Sequence, residues 1–479
     1  MFGIYLHKEN CTMNELKTVL SVADVLATAK KLFFVGIGGI SMSSLAFVCK
    51  RQGFSVAGSD RAYSALTERL EADGIPVTHE HRAENIDGAD AVVYTGAVDF
   101  TNPELKAATE KNIPVIYRAD LLGHMMRDYK HRIGISGMHG KSTCTSMIAH
   151  LFIAAGKDPT VLSGAETREM NGAYRLGSKD FFIFEACEYK DSFLYFYPTM
   201  PVVLDIDLDH TDYFTGGLEQ IKRSFLNYSQ LPFSYDCEFP CGVMCVDDED
   251  ILDIISGVPA CATFGIHEER ADYRAKNICE SRGKYAFDVY KKGEFFTHVT
   301  LPVPGYHNIY NALGALVVAD LLGLSADEIS SGFLSFEGLH RRFDHKGDVN
   351  GAPVYIDYAH HPREIRATLE GARKMTDGKL VCFFEPHTYS RTSSLFDEFV
   401  ASFAEADLVY ILDIYAAREI NTSGVSAQKL AKATPGGVYV PSYEEAVRII
   451  RRAAEPGDTV LILGAGTVDR VAKLLFDEK

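Results

Sequence analysis

The chain has 479 residues, 47% apolar and 24% charged, with a formal net charge of −17 at pH 7. That length exceeds one hydrophobic core and predicts two to four domains of ordinary globular composition. The acidic balance excludes nucleic acid and anionic membrane as general partners, so an anionic substrate must find its positive contacts locally.

The first section, residues 1–130, opens with a short helical lead. The pattern then predicts a strand at Lys31–Val35, a Gly-rich turn at Gly36–Gly39, a helix at Ile40–Gln52 and a strand at Ser55–Ala57 running into Gly58-Ser59-Asp60. Leu32–Cys49 holds 18 uncharged residues, the minimum for a membrane span, but its mid-run glycines and serines read as a βα unit. Gly36, Gly38 and Gly39, with Ser41 in the place of a third glycine and Asp60 some 20 positions on, resemble a dinucleotide fingerprint. Such a turn binds a nucleotide or another diphosphate, or is simply a tight βα connection. Ala91–Ala97, a helix near 102–111 and the run IPVIYR continue the alternation, which predicts a parallel sheet with helices on both faces.

The second section, 131–343, carries the strongest signal. A strand at His131–Ser136 leads into Gly137-Met138-His139-Gly140-Lys141-Ser142-Thr143 and a helix from about Ser142 to Ala155. Free N–H groups in such a turn surround phosphate oxygens, Lys141 reaches the terminal phosphates, and the Ser142 hydroxyl suits a magnesium ion. Gly134 and Gly140 are separated by five residues, so the strict phosphate-loop spacing fails and G-x-H-G-K-S is the tighter signature. Strands at Phe181–Ala186 and Pro201–His210 end in Glu185 and His210, with Glu188 close behind. Carboxylate and imidazole at strand ends beside Ser142 suit metal bridging of nucleotide phosphates. Asn308 and Asn311, three apart at the start of a helix expected near Tyr310–Leu324, read as a capping pair or as amides recognising a nucleotide.

Cysteine spacing adds little. Cys237, Cys241 and Cys245 are four apart, but Pro240 and Gly242 break any helix that would align them, and GVMCV reads as a buried strand. The ten scattered cysteines, with no secretory leader before them, indicate reduced thiols and a cytoplasmic chain.

The third section, 344–479, repeats the α/β rhythm: PVYIDYAHH, a helix at Pro362–Lys374, LVCFFEP, a helix at Ser393–Ala406, LVYILDIY and TVLILGAG. Arg342, Asp357, His361, His387 and Arg391 fall at or beyond its strand ends, where arginine suits a carboxylate or phosphate held bidentately.

In this order GIGG…GSD, GMHGKST, EACE…DIDLDHTDYF, GYHNIYNALGA, LHRRF, DYAHHPRE, PHTYSRT and LGAG resemble the Mur ligases of peptidoglycan assembly over residues 31–466. The match is nearest to the branch that adds L-alanine. The resemblance implies three α/β domains: an N-terminal Rossmann-like UDP-sugar-binding domain (1–130), a central phosphate-loop ATPase domain (131–343) and a C-terminal Rossmann-like amino-acid-binding domain (344–479). It implies ATP and Mg2+ as cofactors and UDP-N-acetylmuramate and L-alanine as substrates, in a monomer or weak homodimer. It also implies ligation through an acyl phosphate. Carried over by motif, Lys141, Glu185, His210, Arg342 and Asp357 are catalytic, and Ser142, Glu185 and His210 hold metal. Gly137, His139, Gly140, Lys141, Ser142, Thr143, Asn308, Asn311 and Arg342 bind the nucleotide. Gly36, Gly38, Gly39, Ser41, Ser59, Asp60, His361, His387 and Arg391 bind substrate.

The chain departs from the family at several points. Ser142 replaces the usual threonine, Cys187 an aspartate and Thr388 an arginine. The metal-binding carbamylated lysine of branches acting on later residues corresponds to Phe225, in keeping with the alanine-adding branch. One rival is a recycling ligase that attaches a preformed murein peptide to the same sugar nucleotide. It carries a charged insertion after the acidic strand end, whereas Asp191–Tyr195 here runs straight on to Pro198. Another rival, a dinucleotide-dependent oxidoreductase, leaves the phosphate loop unexplained.

Overall fold

The computed structural model describes residues 21–476 except 168, 169, 171, 211, 212 and 418. Three sheets follow one another along the chain. The first contains β1 (Lys31–Val35), β2 (Ser55–Ser59), β3 (Val77–Thr78), β4 (Ala91–Tyr94) and β5 (Val115–Tyr117), all parallel, in the order β3-β2-β1-β4-β5. β1 is an apolar run buried on both faces, as a central parallel strand requires.

The second sheet has ten strands. In chain order they are β6 (His131–Ser136), β7 (Thr160–Thr167), β8 (Gly172–Arg175), β9 (Phe181–Glu185), β10 (Met200–Val203), β11 (Gly242–Cys245), β12 (Cys261–Gly265), β13 (Tyr273–Ser281), β14 (Lys284–Lys291) and β15 (Glu294–Pro304). Their spatial order is β15-β14-β13-β12-β11-β10-β6-β9-β7-β8. β6 therefore lies between β9 and β10, parallel to both. The antiparallel meander β13–β15 has no counterpart in the sequence-based expectation. Its two tight turns are nonetheless written in the chain: Arg282-Gly283 and Lys292-Gly293 all have positive φ, the signature of two-residue hairpins.

The third sheet, β16 (Asp344–Val349), β17 (Ala352–Asp357), β18 (Leu380–Phe384), β19 (Leu408–Ile411), β20 (Gly437–Tyr439) and β21 (Thr459–Leu463), runs β16-β17-β21-β18-β19-β20 and is parallel apart from β16. One continuous core joins the first and second sheets, from Val25 to Leu339. The third sheet is packed by two cores of its own.

Two expected elements differ. The strand read at Pro201–His210 stops at Val203, because Asp205 turns in toward the loop after β6 and cannot continue a ladder. The helix read at Ser393–Ala406 is two short helices, Tyr389–Ser394 and Phe396–Ala401, hinged at Leu395. The Thr392 hydroxyl bonds back to the Thr388 carbonyl at 2.6 Å, competing with a regular helical ladder. Cys245 lies in β11, and all described cysteines are free. No described helix is long and apolar enough to cross a membrane.

Candidate active site

β6 ends at the centre of the second sheet, where neighbouring chains depart to opposite sides and open α/β sheets bind ligands. The turn after it needs its glycines. Gly137 has φ 144° and Gly140 φ 79°, and a Cβ on Gly140 would collide with the Asn311 side chain. Gly140 caps the helix Lys141–Ala154, whose first-turn N–H groups have no intrahelical acceptors. Asp205 shapes the turn by accepting from the N–H groups of Met138 (2.6 Å) and His139 (2.9 Å). Burial raises the Asp205 carboxyl above its ordinary range.

Lys141 Nζ donates to the Gly137 carbonyl and lies 3.0 Å from Glu188, which in turn lies 3.2 Å from His210 Nε2. Glu188 is 1% exposed. Burial opposes its charge, but Lys141 and His210 outweigh that and hold it below the usual carboxylate range. Burial likewise opposes charge on Lys141, and Glu188 reverses the effect and raises it. Both Glu188 carboxylate oxygens are engaged: Oε2 faces Lys141 Nζ and Oε1 faces His210 Nε2. Glu185 takes a different position: its carboxylate accepts from the Gly164 N–H and from Ser163 Oγ (3.2 Å). Among the described residues, Glu188 rather than Glu185 joins Lys141 to His210. Ser142, at the start of the helix, is buried. His210 has φ 51° and lies beyond β10 in an irregular segment, not at a strand end; Asp212 of the same motif lies outside the described residues.

A cavity of about 340 Å3 opens beside the turn. Its walls include His139, Gly140 and Thr143 from the turn, Asn308 and Asn311 from the helix His307–Leu321, and Arg342 and Asp357 from the junction with the third unit. The two asparagines lie inside that helix, not at its cap. Asn311 Nδ2 donates to Asn308 Oδ1 (3.0 Å), and Asn308 Nδ2 to the Pro304 carbonyl (2.6 Å). Asp357 accepts from the N–H groups of Phe343 (2.7 Å) and Ala359 (2.8 Å), fixing the junction; burial raises its carboxyl.

Across the cavity mouth, ion pairs link the second and third units. His139 lies 3.3 Å from Glu364 and 3.6 Å from Asp207, Arg363 lies 2.8 Å from Asp207, and Arg391 lies 3.3 Å from Asp209. Burial disfavours the charged His139 ring, yet Asp207 and Glu364 push it up to about 10. Burial also opposes the Asp209 charge, but Arg391 and His210 hold that carboxyl at about 2. His361 caps the helix Pro362–Arg373: its Nδ1 accepts from the Arg363 N–H (3.4 Å), so Nε2 carries the proton. That Nε2, His387 Nδ1 and Arg391 Nε are buried without partners. Burial and Arg391 lower His387 to about 4, so its ring is neutral.

The first-unit residues form a separate group. Asp60 accepts from the N–H groups of Gly38 (2.9 Å) and Ala62 (2.9 Å), so it closes the Gly36–Gly39 turn. Ser59 donates to fully buried Glu104 (2.8 Å), which His81 also contacts at 2.8 Å. Ser41 is exposed in the first turn of the following helix.

Family models described as the Mur ligase family catalytic domain, middle domain and glutamate ligase domain match residues 31–130, 135–319 and 341–466. A UDP-N-acetylmuramate–L-alanine ligase of Caldanaerobacter subterraneus subsp. tengcongensis is 43% identical over 94% of this chain and 98% of its own. The chain belongs to the Mur ligase family. A second relative of the same name, from Clostridium beijerinckii, is 44% identical over 92% of this chain and 96% of its own. The crystal structure of UDP-N-acetylmuramate-alanine ligase from Thermotoga maritima superposes with a TM-score of 0.80 at 26% identity, covering 93% of this chain and 98% of that one.

As a Mur ligase the chain shows site residues that sequence reasoning passed over. Asp205 and Asp207 were legible as acids alternating beyond an apolar strand. Glu364 completes a capping box with His361, a spacing visible in HPRE. Phe225 is fully buried, edge-on to Phe193 at 5.3 Å.

Proposed function

We propose that this Mur ligase joins L-alanine to the lactyl carboxylate of UDP-N-acetylmuramate with hydrolysis of ATP to ADP and phosphate, in the cytoplasm. The observation that carries this reading is the cavity between the phosphate-loop turn and the third unit, walled by His139, Gly140 and Thr143 on one side and by Arg342, Asp357 and Arg363 on the other. The divisions 1–130, 131–343 and 344–479 then serve sugar nucleotide, ATP and amino acid in turn.

A carboxylate is a poor electrophile, and a phosphoryl group makes oxygen a leaving group. The lactyl oxygen attacks the γ-phosphorus and the bond to the β-phosphate oxygen breaks. The neutral amine of alanine then adds to the acyl carbon, and the tetrahedral species expels phosphate as the nitrogen gives up a proton. Lys141 and Arg342 offset the charge on the transferring group. Asn308 and Asn311 brace Gly140 and line the nucleotide cavity. Arg391 and the Nε2–H of His361 offer donors to the alanine carboxylate, and neutral His387 adds no competing charge. Buried Glu188, held between Lys141 and His210, together with the Ser142 hydroxyl and Glu185 as a further carboxylate, would supply the oxygen and nitrogen donors for magnesium. Bound there, the ion would neutralise phosphate charge. Closure of the third unit excludes water from the acyl phosphate.

The test is phosphate release from ATP with UDP-N-acetylmuramate and each of L-alanine, glycine, L-serine and a murein tripeptide. L-alanine should give the highest kcat/KM. Preference for the tripeptide would make the chain a recycling ligase, and no release with any amine would end the ligase reading of this site.

A further inference from the structure

Lys190 has no role in the site described above, yet its placement is tightly determined. Lys190 (φ 55°, ψ 34°) and Asp191 (φ 53°, ψ 27°) are consecutive non-glycine residues in the left-handed region. Such backbone persists only where its surroundings over-determine it. Here the Asp191 carboxylate accepts from Tyr213 Oη (2.6 Å) and from Ser224 Oγ, and Ser192 Oγ lies 3.1 Å from Tyr117 Oη in the first unit. The inverted backbone sends Lys190 into the first unit, where its Nζ donates to the Gly96 carbonyl at 2.8 Å.

Gly96 stands two residues beyond β4. The order β3-β2-β1-β4-β5 puts the topological switch of the first sheet between β1 and β4, where open parallel sheets take their ligands. The Gly36–Gly39 turn forms the β1 side of that crevice; a Cβ on Gly36 would touch Thr95 at 3.4 Å and Val98 at 3.5 Å. An ammonium has three donors and Gly96 takes one. Among the described residues no carboxylate pairs with Lys190; its other neighbour is the Tyr189 ring, 5.5 Å from Nζ. A half-buried cation without an ionic partner therefore sits at the crevice, in a chain of charge −17.

We propose that Lys190, carried by the second unit, binds the diphosphate of the sugar nucleotide held in the first. This rests on the reading that the first unit takes UDP-N-acetylmuramate. It gives the left-handed pair a purpose: Glu188, two residues earlier, faces Lys141 and His210, so one short segment contacts both ligands and sets the distance between them.

Calorimetric titration of the full-length chain without magnesium-ATP tests it, with UDP-N-acetylmuramate, UDP, uridine and inorganic pyrophosphate. Lys190→Met should weaken the three diphosphates by about tenfold or more, as loss of a charge-assisted hydrogen bond does, and leave uridine unchanged. Lys190→Arg should restore most of the affinity. In turnover, KM for the sugar nucleotide should rise while KM for ATP holds. Equal weakening of uridine, or unchanged affinities with a lowered melting temperature, would make Lys190 a clasp between units and overturn the proposal. Weakening confined to UDP-N-acetylmuramate would move its contact to the lactyl carboxylate, also overturning it. A wild-type chain that binds no uridine nucleotide would refute the sugar-nucleotide reading, and the pyrophosphate arm would still decide the anion role of Lys190.

Discussion

At the residue scale, chemistry concentrates on a few buried charges whose partners fix their protonation. On the proposed reading, replacing Lys141 with Ala removes the cation that offsets phosphoryl charge, while Glu188 keeps His210 as a partner. The chain should fold, and kcat at saturating ATP and magnesium should fall by about 10²–10³, the usual cost of one transition-state donor. The two glutamates separate experimentally. Glu188 is buried between the Lys141 ammonium and the His210 ring beside the phosphate-loop turn, whereas Glu185 is satisfied away from them by Gly164 and Ser163. Glu188→Gln should therefore raise the magnesium concentration needed for half-maximal rate more than Glu185→Gln does. Magnesium titration of both variants checks the ranking, and the reverse order would return the principal ligand role to Glu185. His210 was legible in the sequence because it follows an apolar run. Its actual conformation, left-handed and beyond the sheet, was not, because it depends on Asp205 turning toward a loop some 70 residues away in the chain.

At the element scale, central parallel strands such as β1, β6, β9, β18 and β21 were legible as apolar runs, whereas the short β3 (Val77–Thr78) and β20 (Gly437–Tyr439), and β7 and β12, were not. β1 and β6 have the bounds their sequence pattern predicts. The meander β13–β15 was missed because its strands alternate polar and apolar residues, as sheets with one wet face do, and so lack a continuous apolar run. The strand expected to reach His210 was overextended for the opposite reason: Leu204, Ile206 and Leu208 alternate with acids like a strand, but the acids serve other partners. The turn after β6 is the element most exposed to substitution. Gly140→Ala meets both a left-handed φ of 79° and the Asn311 side chain. The backbone term alone is about 1 kcal/mol, and the collision adds to it. ATP affinity should fall and the melting temperature should drop. Asn311→Ala in the same chain removes the obstructing amide, so the double variant should recover part of the stability but not the ATP affinity. Differential scanning calorimetry with ATP titration reads both.

At the scale of the whole molecule, the packing makes a division. The first and second units share one apolar core, but the third has its own cores and meets the second through Arg342, Asp357 and the ion pairs of His139, Asp207 and Asp209. Charged contacts without a shared core can part and re-form, as a site needs if it admits nucleotide and then excludes water. The sequence showed the arginines and histidines of this interface but not their partners, since each pair joins residues more than 150 positions apart. His139 is the titrating member. Its ring is held up to about 10 by Asp207 and Glu364, against an ordinary value of about 6.5. A histidine raised on folding contributes stability in full below the unfolded value and loses it as pH climbs through the folded one. The contact between second and third units should therefore be strongest below about pH 6.5 and weaken progressively toward pH 10. His139→Gln should flatten that dependence while leaving the Arg391–Asp209 pair in place. Small-angle scattering and melting temperature across pH 6 to 10 provide the check. A wild-type molecule whose compactness is constant over that range, or a His139→Gln variant with the same slope as wild type, would mean that His139 does not hold the third unit.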